Sequence, residues 1–185
     1  PEDRPLEVEL GSAEGVWLFE RATEDPTRFH LGVEIRELIV DKANAEARRR
    51  GLFGTHVRSV FANMSVDMPR LFPAGRVSRF FLNFPDPWWK SKQQKRRVAE
   101  EGLISEIHRA LLPGGEVYVN TDIFDIALES LLLFELESPE RFENLAGSWS
   151  FLKANPFRAM SRRDQQCRDD GSPVWRLGFR KIPLS

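Results

Sequence analysis

The order of segments along the chain predicts an α/β fold: a doubly wound, mostly parallel sheet with an antiparallel hairpin at one edge. Three observations carry this expectation. Strand-like and helix-like segments alternate with short connections. The fourth strand-like segment, RVSRFFLNF, is apolar enough to be buried on both faces, as a parallel central strand is. Two more strand-like segments follow the last long helical pattern and suggest the hairpin.

Taken in order, LEVEL (6–10) reads as the first strand, GSAEG as a turn, and VWLFERATE (16–24) as a helix. RFHLGVEI (28–35) is the second strand, and RELIVDKANAEARRRG (36–51) is a helix closed by a glycine. HVRSVFAN (56–63) and RVSRFFLNF (76–84) are the third and fourth strands. KRRVAEEGLISEIHRALL (95–112) carries Val98, Leu103, Ile104, Ile107 and Leu111 at helical spacing. LLPGGEVYVNTD turns into a fifth strand, and IFDIALESLLLFELES (123–138) is a helix. RFENLA and PVWRLGFRK (173–181) complete the edge. There is no repeat or low-complexity segment, so residues 1–185 read as one domain.

The chain has 185 residues, 41% hydrophobic and 30% charged, which suits one globular unit with a substantial core. Its net charge of -1 requires any nucleic-acid affinity to come from a local patch. Cys167 is the single cysteine, which excludes an internal disulfide or a cysteine-based zinc site and fits a reducing, cytoplasmic compartment. No apolar run is long enough to cross a membrane, and PEDRPLEVEL is no signal peptide. The chain begins almost directly at a strand, so a preceding segment is expected. His30, His56 and His108 stand apart and show no nucleophile–base spacing. Arg48, Arg49 and Arg50 close a helix, where cations suit the dipole.

In such sheets ligands sit at the carboxyl ends of the strands, near the point where strand order reverses. The first turn runs Glu9-Leu10-Gly11-Ser12-Ala13-Glu14-Gly15. A dinucleotide frame would place Gly11, Ala13 and Val16 at its three small positions and fails at two of them. A frame of acid-x-G-x-G-x-G fits better, with Ala13 in the middle position and Glu9 as the acid. Glu14 in this turn would repel a pyrophosphate but tolerate a cationic sulfonium, which favours S-adenosylmethionine over NAD. Glu34 closes the second strand, where an acid can accept hydrogen bonds from the two ribose hydroxyls of an adenosine.

The fourth strand runs into NFPDPWWKSKQQKRR. Pro85 and Pro87 stiffen the backbone around Asp86. Trp88 and Trp89 offer flat faces on which a base can stack. Lys90, Lys95, Arg96 and Arg97 can pair with phosphates. A basic run opening a helix opposes the helix dipole, which argues for a functional reason to keep it there. Acid, aromatics and cations together describe a corner that modifies nucleic acid.

This stretch resembles the F-P-D-P-W-x-K…K-R-R signature of the TrmB family of bacterial tRNA (guanine-N7-)-methyltransferases. The resemblance covers most of the chain: LEVELGSAEG matches the family's first strand and cofactor turn, and HLGVEI its second strand and acid. LLPGGEVYVNTD matches its P-G-G…T-D segment, and PVWRLGFRK its terminal strand. It implies a Rossmann-like sheet of the class I S-adenosylmethionine-dependent methyltransferase type, acting on N7 of a guanine in the tRNA variable loop.

Carried over residue by residue, the resemblance assigns Glu9, Gly11, Gly15, Glu34, Asn63 and Asp86 to the cofactor, with Asp86 also the active-site acid. Lys90, Lys95, Arg96, Arg97, Asp122, Ser161, Arg162 and Asp164 would face the tRNA. The cofactor would be S-adenosylmethionine, leaving as S-adenosylhomocysteine, with no metal. The partner would be tRNA and not a membrane, and the protein a monomer or homodimer. The sequence departs from the family pattern in four places. Ala13 replaces a glycine, Asn63 replaces an acid, Asp164 stands where Glu is usual, and the basic stretch lacks the family's histidine. Two alternatives share the fold: a tRNA-binding relative without catalysis, and a methyltransferase with a different substrate.

Overall fold

The computed structural model describes residues 4–85 and 93–183, with side chains for all of these except 93–101. The strands are β1 (Leu6–Leu10), β2 (Phe29–Glu34), β3 (Val57–Phe61), β4 (Val77–Asn83), β5 (Leu111–Thr121), β6 (Phe142–Asn144) and β7 (Trp175–Lys181). The helices are α1 (Val16–Glu24), α2 (Glu37–Arg49), α3 (Met68–Leu71), α4 (Gln93–Ala110), α5 (Phe124–Leu131) and α6 (Arg162–Asp170). A wider π-helical turn, Leu132–Leu136, extends α5.

The strands form one sheet in the order β3-β2-β1-β4-β5-β7-β6. The first five in that order are parallel, and β7 runs antiparallel to both β5 and β6. Strand order reverses between β1 and β4, so a crevice opens at their carboxyl ends. The expected antiparallel pair at the edge is present, with two differences. Helix α6 falls between its strands, so they do not form a simple hairpin, and β7 lies inside the sheet while β6 forms the edge. Helix α4 ends at Ala110, because Leu111 already pairs with Val77 across β4.

All five residues of β1 are buried, which requires cover on both faces. On one face Leu6, Val8 and Leu10 join Met68 of α3, Phe72 just after it, Ile104 and Ile107 of α4, and Phe134 of the π turn. There Phe134 stacks on Phe179 of β7 at 4.2 Å. On the other face Trp17, Leu18 and Phe19 of α1 pack with Ala47, Phe81 and Tyr118. That second face also receives Glu7, which is fully buried. Arg21 and Arg79 donate to Glu7 Oε1 at 3.0 and 2.9 Å, and His30 Nδ1 stands 3.3 Å from Oε2. Burial alone would raise this carboxyl's pKa, but the His30 hydrogen bond and the Arg21 charge outweigh it and hold it at about 2.

Segment 158–165 is strapped to α1. The backbone N–H groups of Arg158 and Ala159 donate to Glu24, and those of Met160 and the Gln165 side chain donate to Glu20. Ser161 caps α6 by accepting from the Asp164 N–H, and Gly171 ends it in the left-handed conformation. The strap thereby sets α6 over the mouth of the crevice.

Candidate functional site

A cleft of about 680 Å³ lies at the strand-order reversal, a size that suits a small ligand. Its floor is Glu9 and Leu10 of β1 with Leu82 and Asn83 of β4. One wall is the turn from Gly11 to Glu14 and the start of α1, and another is Glu34, Ile35, Arg36 and Ile39. Met64, Phe84, Pro85, the cap residue Ser161 and the α6 residues Arg162, Arg163 and Gln166 complete it.

The turn is built from alternating left-handed residues: Gly11 at φ 77°, Ala13 at φ 45° and Gly15 at φ 76°. The Gly11 and Ser12 N–H groups donate to Val33 O, so the turn hangs on β2. Ala13 holds, with a methyl group, a conformation that costs an alanine about 1–2 kcal/mol. Gly32 of β2 makes room beneath the turn, since a Cβ there would stand 2.3 Å from Ser12 Oγ.

Glu34 reaches back across the cleft. Its Oε2 accepts the Ala13 N–H at 3.0 Å, and its Oε1 accepts Arg36 Nε at 2.8 Å. Burial would raise the Glu34 carboxyl, but the Arg36 hydrogen bonds outweigh it and hold it below the usual range. Glu9 is the opposite case. It is 3% exposed, its Oε1 accepts Asn83 Nδ2 at 2.9 Å, and its Oε2 has no partner. Burial pushes its pKa up to about 8; the Asn83 bond opposes this, and the nearby Glu34 charge adds to it. One acid is thus held ionised at the β2 end of the cleft, while a second, at the β1 end, has an unpartnered oxygen. That pair suits a ligand with a polar neutral part and a separate cationic part.

The sequence-derived residues distribute as follows. Glu9, Gly11, Glu34, Ser161 and Arg162 line the cleft together, and Gly15 closes the turn as the N-cap of α1. Asn63 lies beyond the end of β3 and does not line the cleft; its Oδ1 accepts the Ser65 N–H at 3.0 Å, and its own N–H donates to Asp67. Arg162 bridges the mouth to Glu14 at 2.7 Å. Asp122 sits below α6, accepting Arg163 Nε at 3.0 Å. Asp164 is buried, with its two oxygens on Arg176 at 3.1 and 2.6 Å. Asp86 and Lys90 lie outside the described residues. Lys95, Arg96 and Arg97 lie on the first turns of α4, and their side chains are outside the description.

Sequence reasoning missed Asn83, Asn120 and Arg176, which form a row of polar side chains from Glu9 to α6. An asparagine two residues along β4 from the strand's apolar centre was the available signal. Phe84 was missed as well: it leaves β4 in a left-handed conformation at φ 52°, its N–H donating to Asn120 O at 2.7 Å. That turn takes the chain out of β4 at Pro85. Among the described residues no group of His, Cys, Asp or Glu is arranged to hold a metal ion, and no helix is long and apolar enough to cross a membrane.

Comparison with solved structures supports the fold. The chain superposes on a geranyl diphosphate C-methyltransferase from Streptomyces coelicolor A3(2), solved with S-adenosyl-L-homocysteine, at TM-score 0.61 and 15% identity, over 99% of this chain and 76% of that one. It superposes on TrmN from Thermus thermophilus at TM-score 0.60 and 20% identity, over 97% of this chain and 45% of that one. Sequence comparison goes further. A tRNA (guanine-N(7)-)-methyltransferase of Synechococcus elongatus is 36% identical over 184 residues, 98% of this chain and 84% of the relative. One from Synechococcus sp. (strain JA-3-3Ab) is 36% identical over 173 residues, 94% of this chain and 71% of the relative. Residues 3–177 match the model of the family described as "Putative methyltransferase". With that match over almost its whole length, and with the acid-turn-acid cleft in place, the chain belongs to the TrmB family of tRNA (guanine-N7-)-methyltransferases.

Proposed function

We infer that this chain transfers a methyl group from S-adenosylmethionine to N7 of a guanine in tRNA, in the variable loop. One observation carries the reading: Glu9 and Glu34 face one cleft at the strand-order reversal, beside the exit of β4 toward the Asp86 corner. The family membership and the names of the relatives support the substrate.

The donor set fits the cofactor. Glu34, held ionised, would accept the ribose hydroxyls, which must displace the exposed Arg36 guanidinium from it. The free Oε2 of Glu9 would take the cationic amino end. Ile35, Ile39 and Met64 would cover the adenine. When bound, S-adenosylmethionine would supply an electrophilic methyl carbon on a cationic sulfur, the chemistry that a guanine N7 lone pair needs.

N7 carries no proton to be removed, so the chain's task is to hold and orient. Asp86 would fix the guanine and balance the positive charge that passes to it. Trp88 and Trp89 would stack against nucleotides, and Lys90, Lys95, Arg96 and Arg97 would meet phosphates. Ser161 and Arg162 at the cleft mouth, with Asp122 and Asp164 bracing α6, would form the opposite side of the tRNA surface. We place this activity in the cytoplasm, in a single methyltransferase domain acting as a monomer or homodimer.

The test is methyl transfer from labelled S-adenosylmethionine to unmodified bulk tRNA, with Asp86→Ala alongside. Label released as 7-methylguanosine, and lost in the variant, is expected. Normal transfer by the variant removes Asp86 from the mechanism; no transfer by either protein overturns the reading.

A further inference from the structure

Glu9 does not stand alone. Asn83, Asn120 and Arg176 occupy directly opposed positions on β4, β5 and β7, so the sheet register sets their side chains in one row. Asn83 Nδ2 donates to Glu9 Oε1 at 2.9 Å, Asn120 Nδ2 donates to Asn83 Oδ1 at 2.8 Å, and Arg176 Nη1 donates to Asn120 Oδ1 at 3.1 Å. Arg176 is itself held by the bidentate bond to Asp164 at the start of α6.

A row of amides has two possible polarities. A guanidinium offers donors only and stays charged. With Arg176 at one end, Asn120 must turn its oxygen toward β7 and its NH2 toward Asn83, and Asn83 must turn its NH2 toward Glu9. In the reverse polarity the Asn120 NH2 would face the guanidinium, donor against donor, and Asn83 Oδ1 would face Glu9. Glu9 could then join the row only by keeping its proton and donating, which is the wrong form for holding a cation.

We propose that Arg176 is a positioning residue for cofactor binding: through Asn120 and Asn83 it fixes the direction of the hydrogen-bond row, so that Glu9 receives a donor at Oε1 and keeps Oε2 for the cofactor's amino group. This rests on the reading of the cleft as the cofactor site. The cation that sets the direction is separated from Glu9 by two strands, β4 and β5, and it also anchors α6. The row therefore ties the helix over the mouth to the acid on the floor.

The test compares two probes by calorimetry on the full chain: S-adenosylhomocysteine, which has the amino acid end, and methylthioadenosine, which lacks it. Arg176→Met frees the row to reverse. Asn120→Asp keeps a partner for Arg176 but removes the NH2 that addresses Asn83. Both are expected to weaken S-adenosylhomocysteine by roughly tenfold or more, as loss of a hydrogen bond to a charged group does, and to leave methylthioadenosine unchanged. Arg176→Lys, which still presents donors only, is expected to recover most of the affinity. Should Arg176→Met not fold, Asn120→Asp carries the comparison. Equal weakening of both probes would reveal a merely structural role and overturn the proposal, as would wild-type affinity for S-adenosylhomocysteine in both variants. A wild-type chain that binds neither probe overturns the cofactor reading itself and the proposal with it.

Discussion

Replacing Glu9 by Gln should stabilise the protein while impairing its function. Glu9 has an ordinary pKa of 4.5 when unfolded and about 8 when buried in the fold. Between those values the native state holds a proton that the unfolded chain has released, so stability falls as pH rises through that window. At pH 7 the difference amounts to roughly 3 kcal/mol, from the usual 1.4 kcal/mol per pH unit. Gln keeps the acceptor for Asn83 and has no charge to desolvate, so it should recover that amount. Urea unfolding followed by tryptophan fluorescence at pH 5, 6, 7 and 8 measures it. The variant's advantage should be under about 1 kcal/mol near pH 5 and grow to roughly 3 kcal/mol at pH 7. His108, whose pKa is lowered by burial, loses stability as pH falls and acts equally in both proteins, so the difference isolates Glu9. The same variant should bind S-adenosylhomocysteine more weakly, because the amino group loses its anion. An advantage that does not change with pH would refute the assignment of a desolvated carboxyl at this position.

Three other outcomes follow from the geometry. Ala13→Gly should change stability by between about zero and +1 kcal/mol, the relief of left-handed strain less the entropy of a glycine; a clear loss in urea midpoint would count against strain in the turn after β1. Gly32→Ala should cost about 1–3 kcal/mol and weaken S-adenosylhomocysteine as well, because the new Cβ must push Ser12 and Leu18 and so move the turn; binding that survives intact would show the turn to be independent of β2. Glu7→Gln should cost up to about 3 kcal/mol at neutral pH by removing the fully buried charge from Arg21 and Arg79, which keep the more exposed Glu24 and Glu116. Glu7 is held below its ordinary value, so its contribution is present above pH 4.5 and lost as pH falls toward 2. A variant that loses stability over that acid range as steeply as the wild type would contradict this.

The parallel half of the sheet was legible because its signals are local. LEVEL, FHLGVE and VSRFFLN carry apolar runs between glycine and polar turns, and each became a strand close to the expected bounds. The turn after β1 was legible because left-handed residues leave small side chains behind, at Gly11, Ala13 and Gly15. Helix α6 was not legible: RRDQQCRDD has no apolar face, and what holds it is the Ser161 cap, Gly171 and bonds to distant Glu20, Asp122 and Arg176. The placement of β7 inside β6 was hidden for a related reason, since nothing local tells a strand which neighbours to pair with. The roles of Asn83 and Asn120 were hidden too. Asparagine near a strand end reads as a turn residue, and only the register across β4, β5 and β7 reveals them as a row.

The position of β7 has a consequence for the order in which the chain can finish folding. β7 fills the gap between two strands synthesised before it, and among the described residues β6 pairs with no other strand. While the ribosome still holds β7, the nascent chain carries β5 as an open, apolar edge and β6 as a stray segment. That is the kind of surface chaperones hold and other nascent chains join. Such an intermediate should be cut between β6 and β7 by protease before β7 has left the ribosome and become resistant once β7 has emerged; resistance before β7 emerges would show that the edge is protected some other way.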